Sequence, residues 1–293
     1  LVMEAAKFPE ELQGVFENLE RNSNPWGFGA HMRGDWAEGL DVPTLAEKPD
    51  VEVLFWVGCT AALEQRSQAV ARSMVKVLKA AGVNFAILGE EETCTGDPAR
   101  RMGNEYLFQI LAQQSIETLN RYEVKTIVTI CPHCFNTMKN EYPQFGGTYE
   151  VLHYSQFVDG LIREGKIKPI KMIQTNVAYH DSCYLGRHNG IYDEPRAVAK
   201  SVPGLNLIEI EPNCRERGFC CGAGGGHMWL EESRGTRVNH ARTDQFLETG
   251  ADTVAVSCPF CLQMLTEGIQ AKGLEGEKQA KDVLEILADS LEE

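Results

Sequence analysis

Four cysteines of this chain come round twice. Cys94, Cys131 and Cys134 recur as Cys221, Cys258 and Cys261, each 127 positions later, and Cys59 recurs as Cys183 after 124. Their surroundings repeat as well. Cys-Pro-His-Cys at 131–134 returns as Cys-Pro-Phe-Cys at 258–261, and Cys-Thr-Gly at 94–96 returns as Cys-Gly-Ala at 221–223. A fixed period of this kind marks one folding unit built twice. The 293 residues leave each copy enough chain for its own core. The expected organisation is a lead segment over 1–50, a first cysteine-rich unit over 51–170, and a second over 171–293.

The hydrophobic pattern of each copy is that of alternating strands and helices. In the first, an apolar run Val51–Val57 ends at Gly58-Cys59. A helical stripe of Leu63, Val70, Met74, Val77, Leu78 and Ala81 follows and stops at Gly82. A short strand over 84–88 leads to the Cys94 loop. A second stripe with Leu107, Ile110 and Leu111 precedes a strand over 126–130 that runs into Cys131. The second copy has strands over 176–179, 205–210 and 253–257, before Cys183, the Cys220 loop and Cys258 respectively. Such alternation predicts an α/β fold with two tandem, pseudo-symmetric Rossmann-like units, each with a parallel sheet. Every cysteine group then falls at a strand's carboxyl end, the edge where open α/β sheets bind ligands. A last stripe, Val283, Leu284, Leu287 and Leu291, predicts a closing structural helix.

Charge and hydropathy remove several function classes. The net charge of −14, without a compensating basic patch, repels phosphate backbones and excludes nucleic acid as a partner. No apolar run reaches the roughly 18 residues of a membrane span, and no charged-then-apolar leader opens the chain. A cytoplasmic protein is expected, with any membrane association made through a missing part or a partner subunit. Leu1 and the featureless start read as part of a longer polypeptide. In a reducing compartment, ten cysteines point to metal or redox use rather than to structural disulfides.

The second copy offers five thiols: Cys183, the adjacent Cys220 and Cys221, and Cys258 with Cys261. Adjacent cysteines cannot both face one tetrahedral zinc without strain, and zinc has no use for a fifth thiolate. Five soft thiolates suit a multi-iron cluster. The run Gly222-Ala223-Gly224-Gly225-Gly226 fits that reading, since Gly222, Gly224, Gly225 and Gly226 let backbone N–H groups approach cluster sulfur. A phosphate loop is the alternative, but neither the Gly-x-Gly-x-x-Gly fingerprint nor Gly-Lys-Ser/Thr is present. In the first copy Thr93 stands where the first of the adjacent cysteines would be. Cys59, Cys94, Cys131 and Cys134 remain, enough for a cubane cluster, for zinc, or for structure alone. Cys131 and Cys134 by themselves also match a thioredoxin-like dithiol.

The pattern Cys-Cys-Gly with a distant Cys-x-x-Cys, complete in the second copy and degenerate in the first, resembles the paired cysteine-rich (CCG) domains of heterodisulfide-reductase catalytic subunits and their relatives. The stretches CTGDPARRMGNEYLFQ at 94–109, CPHCFNT at 131–137, HDSCYLGRHNGIYDEPR at 180–196 and CCGAGGG at 220–226 are most similar to the iron–sulfur oxidoreductases linked to electron-transfer flavoprotein. The resemblance spans about residues 24–268. It implies a non-cubane [4Fe–4S] cluster held by Cys183, Cys220, Cys221, Cys258 and Cys261. For the degenerate first unit it leaves a cubane [4Fe–4S] cluster or zinc on Cys59, Cys94, Cys131 and Cys134. It further implies electron relay from a flavoprotein donor towards the quinone pool, through a missing ferredoxin-like domain and a quinone-reactive membrane part or subunit. A disulfide reductase that cleaves an S–S bond at the same cluster is the second reading, and a zinc-stabilised scaffold subunit the third.

Other residues qualify by position. His133 and His180 neighbour ligand-type cysteines and are placed to donate hydrogen bonds to sulfur or to move protons, although packed histidines fit as well. His227 follows the glycine run and is read as lining substrate access. Cys214 lies outside the repeat and reads as a free thiol. Arg187 and Arg196 are read either as groups that offset cluster charge or orient a partner, or as ordinary surface arginines.

Overall fold

The computed structural model describes residues 8–232 and 234–292. It carries two four-stranded sheets with helices between the strands, the α/β arrangement expected from the repeat. The described residues form two compact units interleaved along the sequence. One comprises 8–72, 84–152 and 225–231; the other comprises 73–83, 153–224, 232 and 234–292.

The first sheet has the order β2-β1-β3-β4, with β1 Val53–Trp56, β2 Phe85–Ala86, β3 Thr126–Thr129 and β4 Glu150–His153. The second repeats it as β6-β5-β7-β8, with β5 Thr175–Tyr179, β6 Leu205–Glu209, β7 Thr253–Val256 and β8 Gln279–Asp282. β1 pairs in parallel with β2 and β3, β5 with β6 and β7, and β7 with β8. The central strands β1 and β7 are buried at all four positions, as strands covered on both faces must be. In each sheet the chain leaves the first strand to one side, then returns to the other. That reversal opens a crevice at the carboxyl ends of β1 and β3, and again of β5 and β7. The loops carrying Cys59 and Cys131 flank the first crevice. Those carrying Cys183 and Cys258 flank the second.

The fourth strands were not legible in the hydrophobic pattern. β4 reads Glu-Val-Leu-His and β8 reads Gln-Ala-Lys-Asp, short edge strands with exposed first positions and no apolar run. Each ends on a helix cap. His153 caps the helix Tyr154–Arg163 and Asp282 caps Val283–Ser290, both in a capping box.

Within the first unit, the segment ahead of β1 packs closely. The helix Glu10–Asn22 buries Leu12, Val15, Phe16 and Leu19, spaced to share one face. Trp36 is buried edge-on against Phe55, ring centroids 6.1 Å apart.

Candidate metal centre

The motif Cys-Pro-x-Cys has a structural meaning in both copies. Cys131 is the N-cap of a helix at Pro132–Asn136, and Cys258 is the N-cap of the helix Pro259–Ala271. Proline takes the first helical position, where its missing N–H costs nothing. Cys134 and Cys261 follow two positions on, still in the first turn. Both thiols of each pair therefore sit at the first turn of a helix. Cys59 opens the helix Cys59–Leu63 behind Gly58, whose φ of +83° is open to glycine and strained for other residues. A side chain at Gly58 would meet Cys134 Sγ at 3.5 Å and Cys131 Cβ at 3.6 Å.

In the second unit the five thiols converge. Cys183 neighbours Cys220, Cys220 neighbours Cys221, Cys221 neighbours Cys261, and Cys261 neighbours Cys258, each pair close enough for the thiols to interact. Cys183 and Cys221 hold the Cys220 thiol far below its ordinary value, and the backbone N–H groups of Gly222 and Gly224 add to this. The Gly222 N–H lies 3.3 Å from Cys220 Sγ. Gly222 has φ +101°, and a Cβ there would press on Asn239 N at 3.1 Å and Met264 Cε at 3.2 Å. Cys183, Cys221 and Cys261 are pushed up, each first by a neighbouring cysteine and also by burial. Like charges so crowded cannot all ionise without a cation to hold them apart. A cluster of iron ions supplies that charge and takes soft thiolates, so the donor set fits an iron–sulfur cluster. Cys221, Cys258 and Cys261 are buried, while Cys183 and Cys220 are partly exposed.

His180 stands with this group. One of its ring nitrogens and the Sγ atoms of Cys221 and Cys261 all lie within 4.8 Å of one another. Burial and the nearby Arg242 cation lower its pKa to about 3, so the ring is neutral. Arg242 is itself fully buried and donates from Nε to His180 Nδ1 at 3.0 Å. Its Nη2 has no hydrogen-bond partner among the described residues.

The remaining predicted residues are placed as follows. Gly225 is exposed, and Gly226 packs on Met102 within the first unit, where an added Cβ would come 2.5 Å from Met102 Cγ. His227 is exposed and belongs to the 225–231 segment of that same unit. Cys214 is a buried free thiol, pushed up to about 11 by burial and by Glu211. Arg187 donates to the Gly218 carbonyl. Arg196 is no surface arginine: it is 2 % exposed, forks onto Asp181 at 2.7 and 2.8 Å and onto Glu209 at 2.7 Å, and lies over the Tyr179 ring. Its charge is spent bracing the loop after β5. Against the cost of burial it holds Asp181 below the usual carboxylate range.

The first unit gathers Cys59 with Cys94 and Cys131 with Cys134, all four buried. Thr93 turns its hydroxyl to Ser115 Oγ at 2.9 Å, so that oxygen is engaged with a neighbour. His133 pairs through Nδ1 with Asp97 at 2.8 Å. Asp97 also takes Arg101 at 2.9 Å, and Glu141 accepts from Arg100 and Arg101. Two residues with no counterpart in the predicted site complete it. Buried Glu92 accepts from the N–H of Val57 at 2.9 Å and Gly58 at 2.8 Å, and from Arg33 at 3.3 Å. Arg33 also donates to the Ser23 carbonyl, which takes the Cys94 N–H at 2.8 Å. Bonding to Cys94 lowers the Cys59 pKa, and the Arg33 cation contributes in the same direction. The signal for Glu92 was an acidic residue two places before a buried cysteine. Arg242 carried no local signal at all.

Among the described residues no helix is long and apolar enough to cross a membrane. A family profile described as a cysteine-rich domain, CCG, matches residues 53–139 and 177–266. The chain is 45% identical over 304 residues to the EtfAB:quinone oxidoreductase of Syntrophomonas wolfei subsp. wolfei, covering 100% of this chain and 42% of that protein. It is 44% identical to a probable iron-sulfur-binding oxidoreductase of Bacillus subtilis, covering 99% of this chain and 42% of that one. It is 34% identical to a polypeptide of the dihydromethanophenazine:CoB--CoM heterodisulfide reductase of Methanosarcina mazei, covering 95% of this chain and 68% of that polypeptide. The chain thus spans less than half the length of the first two of these relatives.

Proposed function

The chain belongs to the heterodisulfide-reductase-like family of cysteine-rich (CCG) domain iron–sulfur oxidoreductases, and from that premise we propose that its second copy holds a non-cubane [4Fe–4S] cluster on Cys183, Cys220, Cys221, Cys258 and Cys261. The convergence of these five thiols, with backbone N–H donors at Cys220, carries the reading. When bound, the cluster supplies one-electron redox chemistry at the carboxyl edge of β5 and β7. The protein's own part is electrostatic: helix N-termini, the Gly222 and Gly224 N–H groups and Arg242 stabilise negative charge on sulfur. For the first copy the reading is four thiols with a cubane [4Fe–4S] cluster, zinc or structure alone, because the Thr93 hydroxyl is a poor iron ligand and is bonded to Ser115.

The physiological role we assign is electron relay from a flavoprotein of the electron-transfer-flavoprotein type towards the quinone pool. A ferredoxin-like domain and a quinone-reactive membrane part elsewhere in the full protein would complete it. The name of the Syntrophomonas wolfei relative supports this donor. One observation favours a second reading. Cys183 and Cys220 are partly exposed, which leaves the site open to a disulfide substrate, and a heterodisulfide reductase polypeptide is among the relatives.

The test uses full-length protein purified anaerobically and assayed for iron, acid-labile sulfide and zinc. It is then mixed in stopped flow with reduced electron-transfer flavoprotein, in parallel with disulfide substrates. Cluster reduction by the flavoprotein is expected. Rapid disulfide turnover without electron uptake from the flavoprotein reverses the two readings, and zinc without sulfide overturns both.

A further inference from the structure

The trio His180, Cys221 and Cys261, with its donor atoms within 4.8 Å of one another, has the look of a metal site in which histidine is a ligand. The hydrogen bond behind it argues otherwise. A guanidinium has donors only and stays protonated. The contact from Arg242 Nε to His180 Nδ1, at 3.0 Å, therefore requires a lone pair on Nδ1. The ring's remaining nitrogen, Nε2, then carries the proton of the neutral imidazole and has no lone pair to offer a metal. One ring nitrogen thus accepts from Arg242 and the other carries the proton.

Arg242 is held to this task. It is fully buried on the helix Val238–Glu248, and its Nη1 donates to the Asn213 carbonyl at 3.1 Å and to Gln245 Oε1 at 2.7 Å. The side chain is tied at both ends, so Nε has one direction to face. The first copy bears on the same point. At the position of His180, counted back by the cysteine offset, stands Trp56, whose buried Nε1–H has no hydrogen-bond partner among the described residues. Indole nitrogen is also a donor and never a ligand. Each copy thus has an N–H-bearing ring at or just past the end of its first strand, three residues before its first cysteine.

We infer that Arg242 is a positioning residue that locks His180 as an Nε2–H donor to the sulfur of the group held by Cys221 and Cys261, and bars it from ligating metal. This rests on the cluster assignment above. Hydrogen bonds to cluster sulfur favour the reduced, more negative state. Removing this donor should weaken reduction about tenfold, which is about 59 mV for one electron.

The experiment uses full-length protein labelled with [15N]histidine, anaerobically loaded and reduced, examined by hyperfine spectroscopy and by redox titration followed by EPR. The wild type should show a weak nitrogen coupling and an exchangeable-proton coupling. His180→Phe should lose both and move the midpoint potential negative. Arg242→Met should alter the proton coupling and the potential, whereas Arg242→Lys, which keeps a cationic donor, should restore them towards wild type. A purely structural role for Arg242 would not produce rescue of the proton coupling. A strong nitrogen coupling in the wild type, or unchanged proton coupling and potential in His180→Phe, overturns the inference. If Arg242→Met does not accumulate, wild type against His180→Phe and Arg242→Lys decides it. Absence of any iron–sulfur signal in the wild type overturns the cluster assignment itself, and is told apart from the other failures by that.

Discussion

The two cysteine crevices share a sheet order, a Cys-Pro-x-Cys helix cap and a cysteine at the end of the first strand, yet they differ in how negative charge is met. The second has five thiols, with His180 and fully buried Arg242 beside them and N–H groups of the Cys-Cys-Gly loop on Cys220. The first replaces Cys220 by Thr93, His180 by Trp56 and Arg242 by Ser115, and the new threonine and serine hydroxyls bond each other. Its cation comes instead from Arg33, in the segment ahead of the repeat, paired with Glu92. Where the second copy has Phe219, the first has Glu92. Absence of one thiol thus goes with absence of the histidine and arginine that stand beside it in the second copy. The lesson is that a ligand set and its buried polar support change together, because a hydrogen-bonding residue left beside an absent partner carries an uncompensated desolvation cost.

The largest expected effect is removal of a thiol from the complete site. Cys220→Ser or Cys221→Ser should abolish or convert the second site's EPR and Mössbauer signal, and unchanged spectra in both variants would break the comparison at its root. Next, with Cys183, Cys258 and Cys261 all changed to Ser, only the first crevice remains intact. It should show no cluster or a cubane one; a surviving non-cubane spectrum would mean that Thr93 makes no difference.

A smaller effect is expected from the cation of the first site. Arg33 and Glu92 are 2 % and 3 % exposed, and stripping one partner from a buried pair costs about 3–5 kcal/mol. Arg33→Met should lower the denaturation midpoint accordingly, and adding Glu92→Met should recover most of the loss. If the double variant is no better than the single, the pair is not the unit described here.

The last effect concerns Asp282, the cap at the end of the fourth strand of the second sheet. Burial raises the Asp282 carboxyl to about 8, and its Oδ1 takes the Tyr154 hydroxyl at 2.6 Å. A carboxyl whose folded pKa lies above its unfolded one binds more protons when folded. Its contribution is greatest below about 4 and is lost as pH rises towards 8. Asp282→Asn keeps a competent N-cap and should flatten the fall in stability across that window. The check is urea unfolding at pH 5 and pH 8; equal slopes in both proteins would show that this carboxyl is not proton-linked to folding.

Much of this architecture was legible because cysteines and apolar runs are strong local signals. The apolar runs ahead of them placed Cys59, Cys131, Cys183 and Cys258 just past strand ends, where the structure has them. The edge strands Glu150–His153 and Gln279–Asp282 were not legible, since half-exposed edges carry no apolar run. Charge placement failed for a different reason. Arg196, Arg242 and Arg33 look alike in sequence, and only their partners at Asp181, His180 and Glu92 make them interior residues. Those partners are 15, 62 and 59 positions away, beyond any local pattern.

The unequal cover of the five thiols gives the second crevice a front and a back. Cys221, Cys258 and Cys261 are sealed in, while Cys183 and Cys220 face outward, and Cys220 is the one most readily ionised. The rim formed by Cys183 and Cys220 is therefore the first part of the thiol group that solvent reaches. The same rim is where an alkylating reagent or an oxidant arrives first.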